Sequence, residues 1–153
     1  MGKQKVTQAE YDALIEDLKE AKKNYTQAMR QKGEAHGESE PFEHENFAAE
    51  EARRQITMWS RKIGDIEIAL ENTIIVEKPD NNETVQLGHI VTLLLDDKEQ
   101  IVVQMGGQFA RRSKGQLSNA SLIGAAVFGQ RVCTEINVET PGGKTRVKIL
   151  AIK

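Results

Sequence analysis

The sequence is poor in cysteine, in aromatic residues and in long apolar runs. Its 153 residues include one cysteine, and aromatic side chains make up 5% of the chain. The longest apolar run, Ile90 to Leu95, is interrupted by Thr92 and is far too short to span a bilayer. No signal peptide is recognisable at the start of the chain. We therefore expect a soluble, cytoplasmic protein with no membrane partner.

The low content of cysteine and of aromatic residues also limits the kinds of active site that the chain can form. Cys133 lies in an alternating segment, and we interpret it as a small, half-buried strand residue rather than a reactive thiol. Residues 74–153 contain only Phe109 and Phe128 as aromatics, which argues against an enzyme that needs a deep aromatic-lined pocket. The formal net charge of -2 argues neither for nor against a nucleic-acid partner.

The first half of the chain carries two apolar patterns that predict a helical hairpin. Their positions alternate spacings of three and four, which is the a/d seam of a coiled coil. The seam residues are Tyr11, Leu14, Leu18, Ala21, Tyr25 and Ala28, then Ala49, Ala52, Ile56, Trp59, Ile63, Ile66 and Leu70. Thr7 followed by Glu10 predicts a capping box at the start of the first helix. A short connection makes the helices antiparallel, with arms of roughly 27 residues and about 40 Å.

An acidic run lies where the two helices turn back on each other. Between Lys32 and Arg53 the chain has no lysine or arginine, and Gly33, Gly37 and Pro41 interrupt the helical pattern there. The run contains seven glutamates, namely Glu34, Glu38, Glu40, Glu43, Glu45, Glu50 and Glu51. A rod tipped with carboxylates can carry negative charge, or a divalent cation, into a deep site on a partner.

After Asn72 the sequence becomes rich in Val, Ile and Thr. The predicted strands are Ile74–Val76, Gln86–Leu95, Gln100–Met105, Val132–Glu139 and Arg146–Ile152. Ser121–Phe128 is predicted to be one short buried helix, and Thr140–Gly143 a hairpin turn. The fold class is therefore α+β: a coiled-coil finger over residues 1–73, with its acidic tip near 36–46, and a small antiparallel sheet domain over 74–153.

The motifs, taken in order, resemble the Gre factors, bacterial transcription elongation factors of the GreA and GreB type. His36-Gly37-Glu38 is similar to the family's H-G-D tip, and Val85–Leu93 to its opening strand. Ala120–Gly129 is similar to its S-P-[IL]-[AG] signature, and Thr140–Gly143 matches its closing T-P-G-G turn. The resemblance covers nearly the whole chain. It implies an FKBP-like second domain without isomerase activity.

The resemblance also implies a mechanism. Gre factors insert the finger through the secondary channel of RNA polymerase, where tip acids help hold a second Mg²⁺ and its water, and backtracked RNA is cleaved by the polymerase's own centre. Such a factor is not an enzyme alone, and its partners are RNA polymerase and the RNA 3′ end. It implies a monomer with no tightly bound cofactor, Mg²⁺ being shared only within the complex. Two alternatives stay open: a factor that occupies the channel and inhibits without cleavage, and a module that docks on a different partner.

The tip residues follow from aligning the family's G-D-x-x-E-N-A-E-Y motif. Glu38 takes the place of its Asp, and a two-residue insertion places Glu43 on its first Glu and Phe47 on its Tyr. Glu38 and Glu43 are thus the predicted catalytic acids and Mg²⁺ ligands, with Glu40 and Glu45 as the second choice. An alternative interpretation takes Glu40 and Glu43 as helix-start residues favoured by the macrodipole.

Two further sets of contacts are implied by the resemblance. Arg53 and Arg54 are placed to contact the RNA 3′ segment, the alternative being a solvated charged face. Ser121, Gly124 and Gly129 are the predicted polymerase-binding residues of the second domain.

Overall fold

A computed structural model of the chain describes residues 2–37 and 46–153, with side chains described for 2–33 and 47–153. It contains two compact units. The helical unit is Asp12–Asn72, and the sheet unit combines the residues up to Tyr11 with Thr73–Lys153. The first eleven residues therefore cluster with the sheet unit, whereas the sequence analysis grouped them with the finger.

The helical unit contains most of α1 (Gln8–Gly37) and all of α2 (Asn46–Glu71). One groove is lined by Asn24 and Gln31 of α1 and by Glu51 and Trp59 of α2, so the two helices pack side by side. α1 ends at Gly37 and α2 begins at Asn46, and two neighbouring helices joined by so short a connection run antiparallel. The thirteen predicted seam residues are all buried or half-buried, which confirms the seam.

One helix boundary differs from the prediction. α1 continues through Gly33 to Gly37, although glycine was expected to interrupt it. A glycine in a helix interior costs only about 1 kcal/mol relative to alanine, and the long seam before it outweighs that cost. At a rise of 1.5 Å per residue, the 30 residues of α1 extend about 45 Å.

The described residues of the sheet unit form seven strands, one short α-helix and a 3-10 turn at Arg112–Lys114. In chain order the strands and the helix are β1 (Gln4–Val6), β2 (Thr73–Ile75), β3 (Ile90–Leu95), β4 (Glu99–Gly106), β5 (Gln116–Ser118), α3 (Leu122–Val127), β6 (Glu135–Thr140) and β7 (Gly143–Ile152). Five strands form one sheet in the order β5-β4-β3-β7-β6, and β1 and β2 form a separate pair. The predicted α+β class is confirmed. The main sheet is antiparallel except for the parallel pair β4–β5, and β1–β2 is also parallel.

One apolar core stabilises the main sheet. Its buried members are Val85, Val91, Leu93, Val103, Met105, Leu117, Val127, Val138, Val147, Ile149 and Ile152. β3 and β7 lie at the centre of the sheet and alternate buried with more exposed positions, as expected for strands with one covered face. Val127 joins the core from α3, so this helix covers part of that face.

The predicted capping box is present and has an additional partner. The backbone N–H of Glu10 donates to Thr7 Oγ1 at 3.2 Å, and the N–H of Thr7 donates to Glu10 Oε2 at 2.7 Å. Glu10 Oε1 accepts from the N–H of Phe109 at 3.2 Å, and the Glu10 side chain is fully buried. This carboxylate therefore joins the first turn of α1 to the loop after β4.

The prediction for Cys133 is wrong. The residue is exposed and lies in a turn, with a φ of 68°, and β6 begins only at Glu135. Its backbone N–H donates to the carbonyl of Ile149 at 2.7 Å, which fixes the turn against β7. Along the described parts of the chain, no helix has the length and apolarity needed to cross a membrane.

Candidate functional site

The predicted acidic tip lies in the connection between the two helices. α1 ends at Gly37 and α2 begins at Asn46, and Glu38, Glu40, Glu43 and Glu45 fall outside the described residues. Within 2–37 and 46–153, no group of three His, Cys, Asp or Glu side chains is arranged to hold a metal ion. The roles given to Glu38 and Glu43 therefore stay predictions.

A basic face runs along α2 on the side turned away from the seam. Arg53, Arg54, Arg61 and Lys62 are exposed and line an open groove together with Thr57, Met58 and Asp65. The pairs Arg53-Arg54 and Arg61-Lys62 lie about two helical turns apart, so all four side chains are on one side of the helix. Arg54 pairs with Glu51 at 3.2 Å, an exposed contact of small energetic weight. The structure thus adds Arg61 and Lys62 to the two arginines predicted from sequence.

A polar groove lies between α1 and α2 on one flank of the seam. It has a volume of about 350 Å³ and is lined by Asn24, Gln27, Ala28, Gln31, Glu51, Gln55 and Trp59. Trp59 is a seam residue, yet it is only half-buried, and its indole Nε1–H donates to Gln55 Oε1 at 3.2 Å. Gln55 Nε2 in turn donates to Glu51 Oε1 at 3.0 Å. This groove was not predicted from the sequence, because the seam alone does not determine which residues of α1 face which residues of α2.

The predicted polymerase-binding residues of the sheet unit set the shape of the segment around α3. Ser121 caps α3: its Oγ accepts from the N–H of Gly124 at 3.0 Å and donates to the carbonyl of Ser118 at 2.6 Å. A Cβ added at Gly124 would lie 1.8 Å from that same carbonyl oxygen, so only glycine fits there. Gly129 has a φ of 79° and donates its N–H to the carbonyl of Val85 at 2.8 Å.

The segment from α3 to Val132 exposes three large apolar side chains. Leu122 is 56% exposed, and Phe128 and Val132 are 38% and 43% exposed. Gly124 is buried and Ser121 is half-buried, so neither has a large surface available. The exposed neighbours of the motif residues were not predicted from the sequence, because an apolar residue in a short helix is expected to face the core.

The segment before β3 is a turn held by a buried histidine. His89 Nδ1 accepts from the N–H of Gln86 at 3.0 Å, and its Nε2 lies 3.0 Å from the carbonyl oxygen of Asn81. Nε2 therefore carries the hydrogen, and both ring nitrogens are satisfied. Gly88 has a φ of 94°, and a Cβ added to it would lie 3.1 Å from the Cα of Lys78. The strand predicted over Gln86–Leu95 begins only at Ile90 because of this turn.

Comparisons with known proteins agree on one family. Residues 79–153 match the family model described as transcription elongation factor GreA/GreB, C-terminal. The transcription elongation factor GreA of Geobacillus kaustophilus is 34% identical over 112 residues, which cover 71% of each chain. GreA 1 of Lactiplantibacillus plantarum is 27% identical over 151 residues, covering 97% of this chain and 95% of its own. Among solved structures, GreA factor homolog 1 of Thermus thermophilus aligns over 99% of both chains with 25% identity and a TM-score of 0.47.

Proposed function

Because this chain belongs to the GreA/GreB family of transcription elongation factors, we propose that it enters the secondary channel of RNA polymerase and acts on backtracked or paused complexes. There its tip carboxylates and a Mg²⁺ ion reach the polymerase active centre and stimulate cleavage of the transcript. The factor supplies ligands and is not an enzyme alone. It works in the cytoplasm as a monomer, and it shares Mg²⁺ only within the complex.

The observation that carries the proposal is the antiparallel hairpin with an acid-rich connection. α1 alone is about 45 Å long, and the two helices join through a segment that contains Glu38 and Glu43. Carboxylate oxygens are the ligands that Mg²⁺ prefers, and a second ion can activate the water that attacks a phosphodiester. A narrow two-helix rod is a suitable carrier, because it occupies little cross-section.

Two other surfaces support the same proposal. The exposed guanidinium groups of Arg53 and Arg54 suit the phosphates of the RNA 3′ segment. The exposed side chains of Leu122 and Phe128 suit an apolar anchor on the polymerase surface, near the channel entrance. Ser121, Gly124 and Gly129 would then act by holding the backbone that presents them.

The test is an RNA-sizing assay with a stalled, backtracked elongation complex and Mg²⁺, run with Glu38→Gln and Glu43→Gln in the intact chain. Each substitution removes one charge and keeps the size of the side chain, so we expect loss of the RNA effect with polymerase affinity nearly retained. Leu122→Ser is the matched control. It should weaken polymerase binding and leave the cleavage rate of saturated complexes unchanged.

Two outcomes would contradict the assignment. Cleavage that survives both tip substitutions would remove the metal-presenting role from Glu38 and Glu43, and Glu40 with Glu45 would be tested next. An equal loss of polymerase binding would show instead that these glutamates dock against basic channel walls.

A second candidate function is inhibition without cleavage. The tip departs from the family pattern, since Glu38 replaces Asp and two residues are inserted before Glu43. A crowded acidic tip can bind the metal in another geometry and stall the polymerase. In the same assay this function would appear as slower elongation with no shortened RNA.

A further inference from the structure

We propose that the open edge of β6 binds an extended segment of a partner protein that carries lysine or arginine at every second position. The main sheet ends at β6 on one side, since β6 pairs with β7 alone. The bound segment adds a further strand there, held by backbone hydrogen bonds to β6. This surface involves neither the acidic tip nor the basic face of α2.

The backbone of Asn137, in the middle of β6, faces away from β7. Asn137 lies opposite Arg146 of β7, and the Arg146 backbone bonds on its other side. The carbonyl of Arg146 accepts from the N–H of Asp96 at 2.8 Å, and its N–H donates to Asp96 Oδ1 at 2.8 Å. Hydrogen-bonded and non-hydrogen-bonded residue pairs alternate in an antiparallel ladder, so Asn137 and Arg146 form a non-hydrogen-bonded pair. The N–H and carbonyl of Asn137 therefore point to the open edge.

The same alternation applies to the residues two positions away on either side. Glu135 lies opposite Lys148, and Glu139 lies opposite Lys144. Their N–H and carbonyl groups therefore face the open edge together with those of Asn137. No turn, loop or cap hydrogen bond among the described residues uses the backbone of these three positions. A partner strand thus meets a row of N–H donors and carbonyl acceptors at the spacing of a normal ladder.

The side chains along this edge favour a basic partner. Glu135, Asn137 and Glu139 are all exposed, and alternate residues of a strand lie on one face. Glu135 Oε1 lies 3.2 Å from Arg146 Nε, and the other carboxylate oxygen of Glu135 can accept from a second cation. Cross-strand neighbours of opposite charge stabilise a sheet, whereas like charges directly opposite each other destabilise it. A segment that places basic residues opposite the two glutamates is therefore favoured.

The same charges disfavour a second copy of β6 as the occupant. Two β6 strands in full antiparallel overlap would place Glu135 of each copy directly opposite Glu139 of the other. The chain itself contains the favoured chemistry, because β7 pairs with β6 and carries basic residues at every second position, namely Lys144, Arg146 and Lys148. A segment that resembles β7 is therefore the expected partner.

The experiment uses the intact chain, isotope-labelled for NMR, and a synthetic peptide with the sequence of Gly143–Ile149. This peptide carries lysine, arginine and lysine in alternation. We expect saturable shifts of the amide resonances of Glu135, Asn137 and Glu139 as the peptide is added. A peptide of the same length with glutamate at the three basic positions should bind at least about tenfold more weakly, because like charges then face each other.

Two substitutions at one position separate the role of the backbone from that of the side chain. Asn137→Pro removes the N–H that faces the open edge, and its ring occupies space that the partner strand needs, so affinity for the basic peptide should fall at least about tenfold. Pairing with β7 should be retained, because proline is tolerated on an edge strand where its nitrogen faces solvent. Asn137→Ala keeps the N–H and should leave the affinity within about twofold of the parent. The far-UV circular dichroism of both variants should equal that of the parent.

A charge reversal tests the selectivity. Glu139→Lys should reverse the preference, so that the basic peptide binds more weakly and the acidic peptide more tightly than either does to the parent. Glu83→Lys is the matched control, because Glu83 is exposed and lies outside the strands of the main sheet. It should leave the affinity for both peptides unchanged.

Three results would overturn the proposal. Equal affinity of the parent and of Asn137→Pro for the basic peptide, or no binding by either, would show that the edge of β6 is not the site. Equal affinity for the basic and the acidic peptide would show that the two glutamates select nothing. A dimer of the parent in sedimentation that Asn137→Pro dissociates would identify a second copy as the occupant. Because no polymerase is present in these experiments, each of these failures would leave the proposal on polymerase and the acidic tip standing.

Discussion

The helical unit and the sheet unit bury their side chains in different ways. In the sheet unit, large residues such as Leu93, Met105 and Ile149 are completely buried in one continuous core. In the helical unit the most deeply buried seam residue is Ala21, while the large side chain of Trp59 is only half-buried. Since hydrophobic stabilisation scales with the apolar area removed from water, the seam contributes less per residue than the sheet core.

The residues that stabilise the fold and the residues that we associate with function lie in different parts of the molecule. The sheet unit has a core that can hold a fixed shape, and the groups we associate with partners lie in the turns, the short helix and the open edge of β6 around it. The helical unit exposes most of its length, and it carries the acidic connection, the basic face of α2 and the polar groove. Regions with few buried apolar contacts open at low free-energy cost, so we expect the helical unit to open more readily than the sheet unit.

The largest effect is expected in the sheet core. Leu93→Ala should lower the free energy of unfolding of the sheet unit by about 2–5 kcal/mol, because the side chain is fully buried and a cavity remains. Unfolding in urea, monitored through hydrogen exchange of the β3 amides, measures this loss. Val102→Ala on β4, where the side chain is 59% exposed, is the control and should stay within about 0.5 kcal/mol.

The same variant tests whether the two units are independent. Trp59 fluorescence follows the helical unit, and its urea midpoint should change little in Leu93→Ala. If the urea midpoints of Trp59 fluorescence and of β3 hydrogen exchange shifted together, the two units would unfold as one. The contrast between them would then not hold.

A smaller effect is expected at the seam. Trp59→Ala should cost about 2 kcal/mol, below the roughly 3–5 kcal/mol of a fully buried tryptophan, because the side chain is only partly buried. The change also leaves Gln55 Oε1 without its indole donor. Far-UV circular dichroism in urea measures the loss, and Met58→Ala, 47% exposed on the same helix, is the control. A loss above 4 kcal/mol would mean that the seam packs like the sheet core.

The parts of the fold that local patterns determine were predictable from the sequence. The seam positions Leu14 and Ile66 are buried as their spacing predicts, and Thr7 with Glu10 forms the capping box. The turn at Thr140–Gly143 closes the hairpin of β6 and β7, with Thr140 Oγ1 donating to the carbonyl of Gly143 at 2.8 Å. Each of these depends on residues that are neighbours in sequence or share one helical face.

The parts that long-range pairing determines were not predictable. β1 and β5 have three residues each, too few to show alternation, and Gln4 of β1 pairs with Thr73 of β2 far along the chain. The polar groove depends on which residues of α1 face which residues of α2, and a seam alone does not give that register. The predicted roles of Glu38 and Glu43 stay predictions for a different reason, since they lie outside the described residues.

The smallest effect is expected from a glycine within α2. A Cβ added at Gly64 would meet nothing within 4 Å, so Gly64→Ala should stabilise the helical unit by about 0.5–1 kcal/mol through the lower backbone entropy of the unfolded chain. Unfolding in urea, monitored by Trp59 fluorescence, measures the gain in stability. The same change at Gly124 is the matched control: its Cβ would lie 1.8 Å from the carbonyl oxygen of Ser118, so the sheet unit should lose stability. If Gly64→Ala destabilised the helical unit, α2 would be packed more tightly at that position than its open surroundings indicate, and the contrast between a loosely packed finger and a close-packed sheet would not hold there.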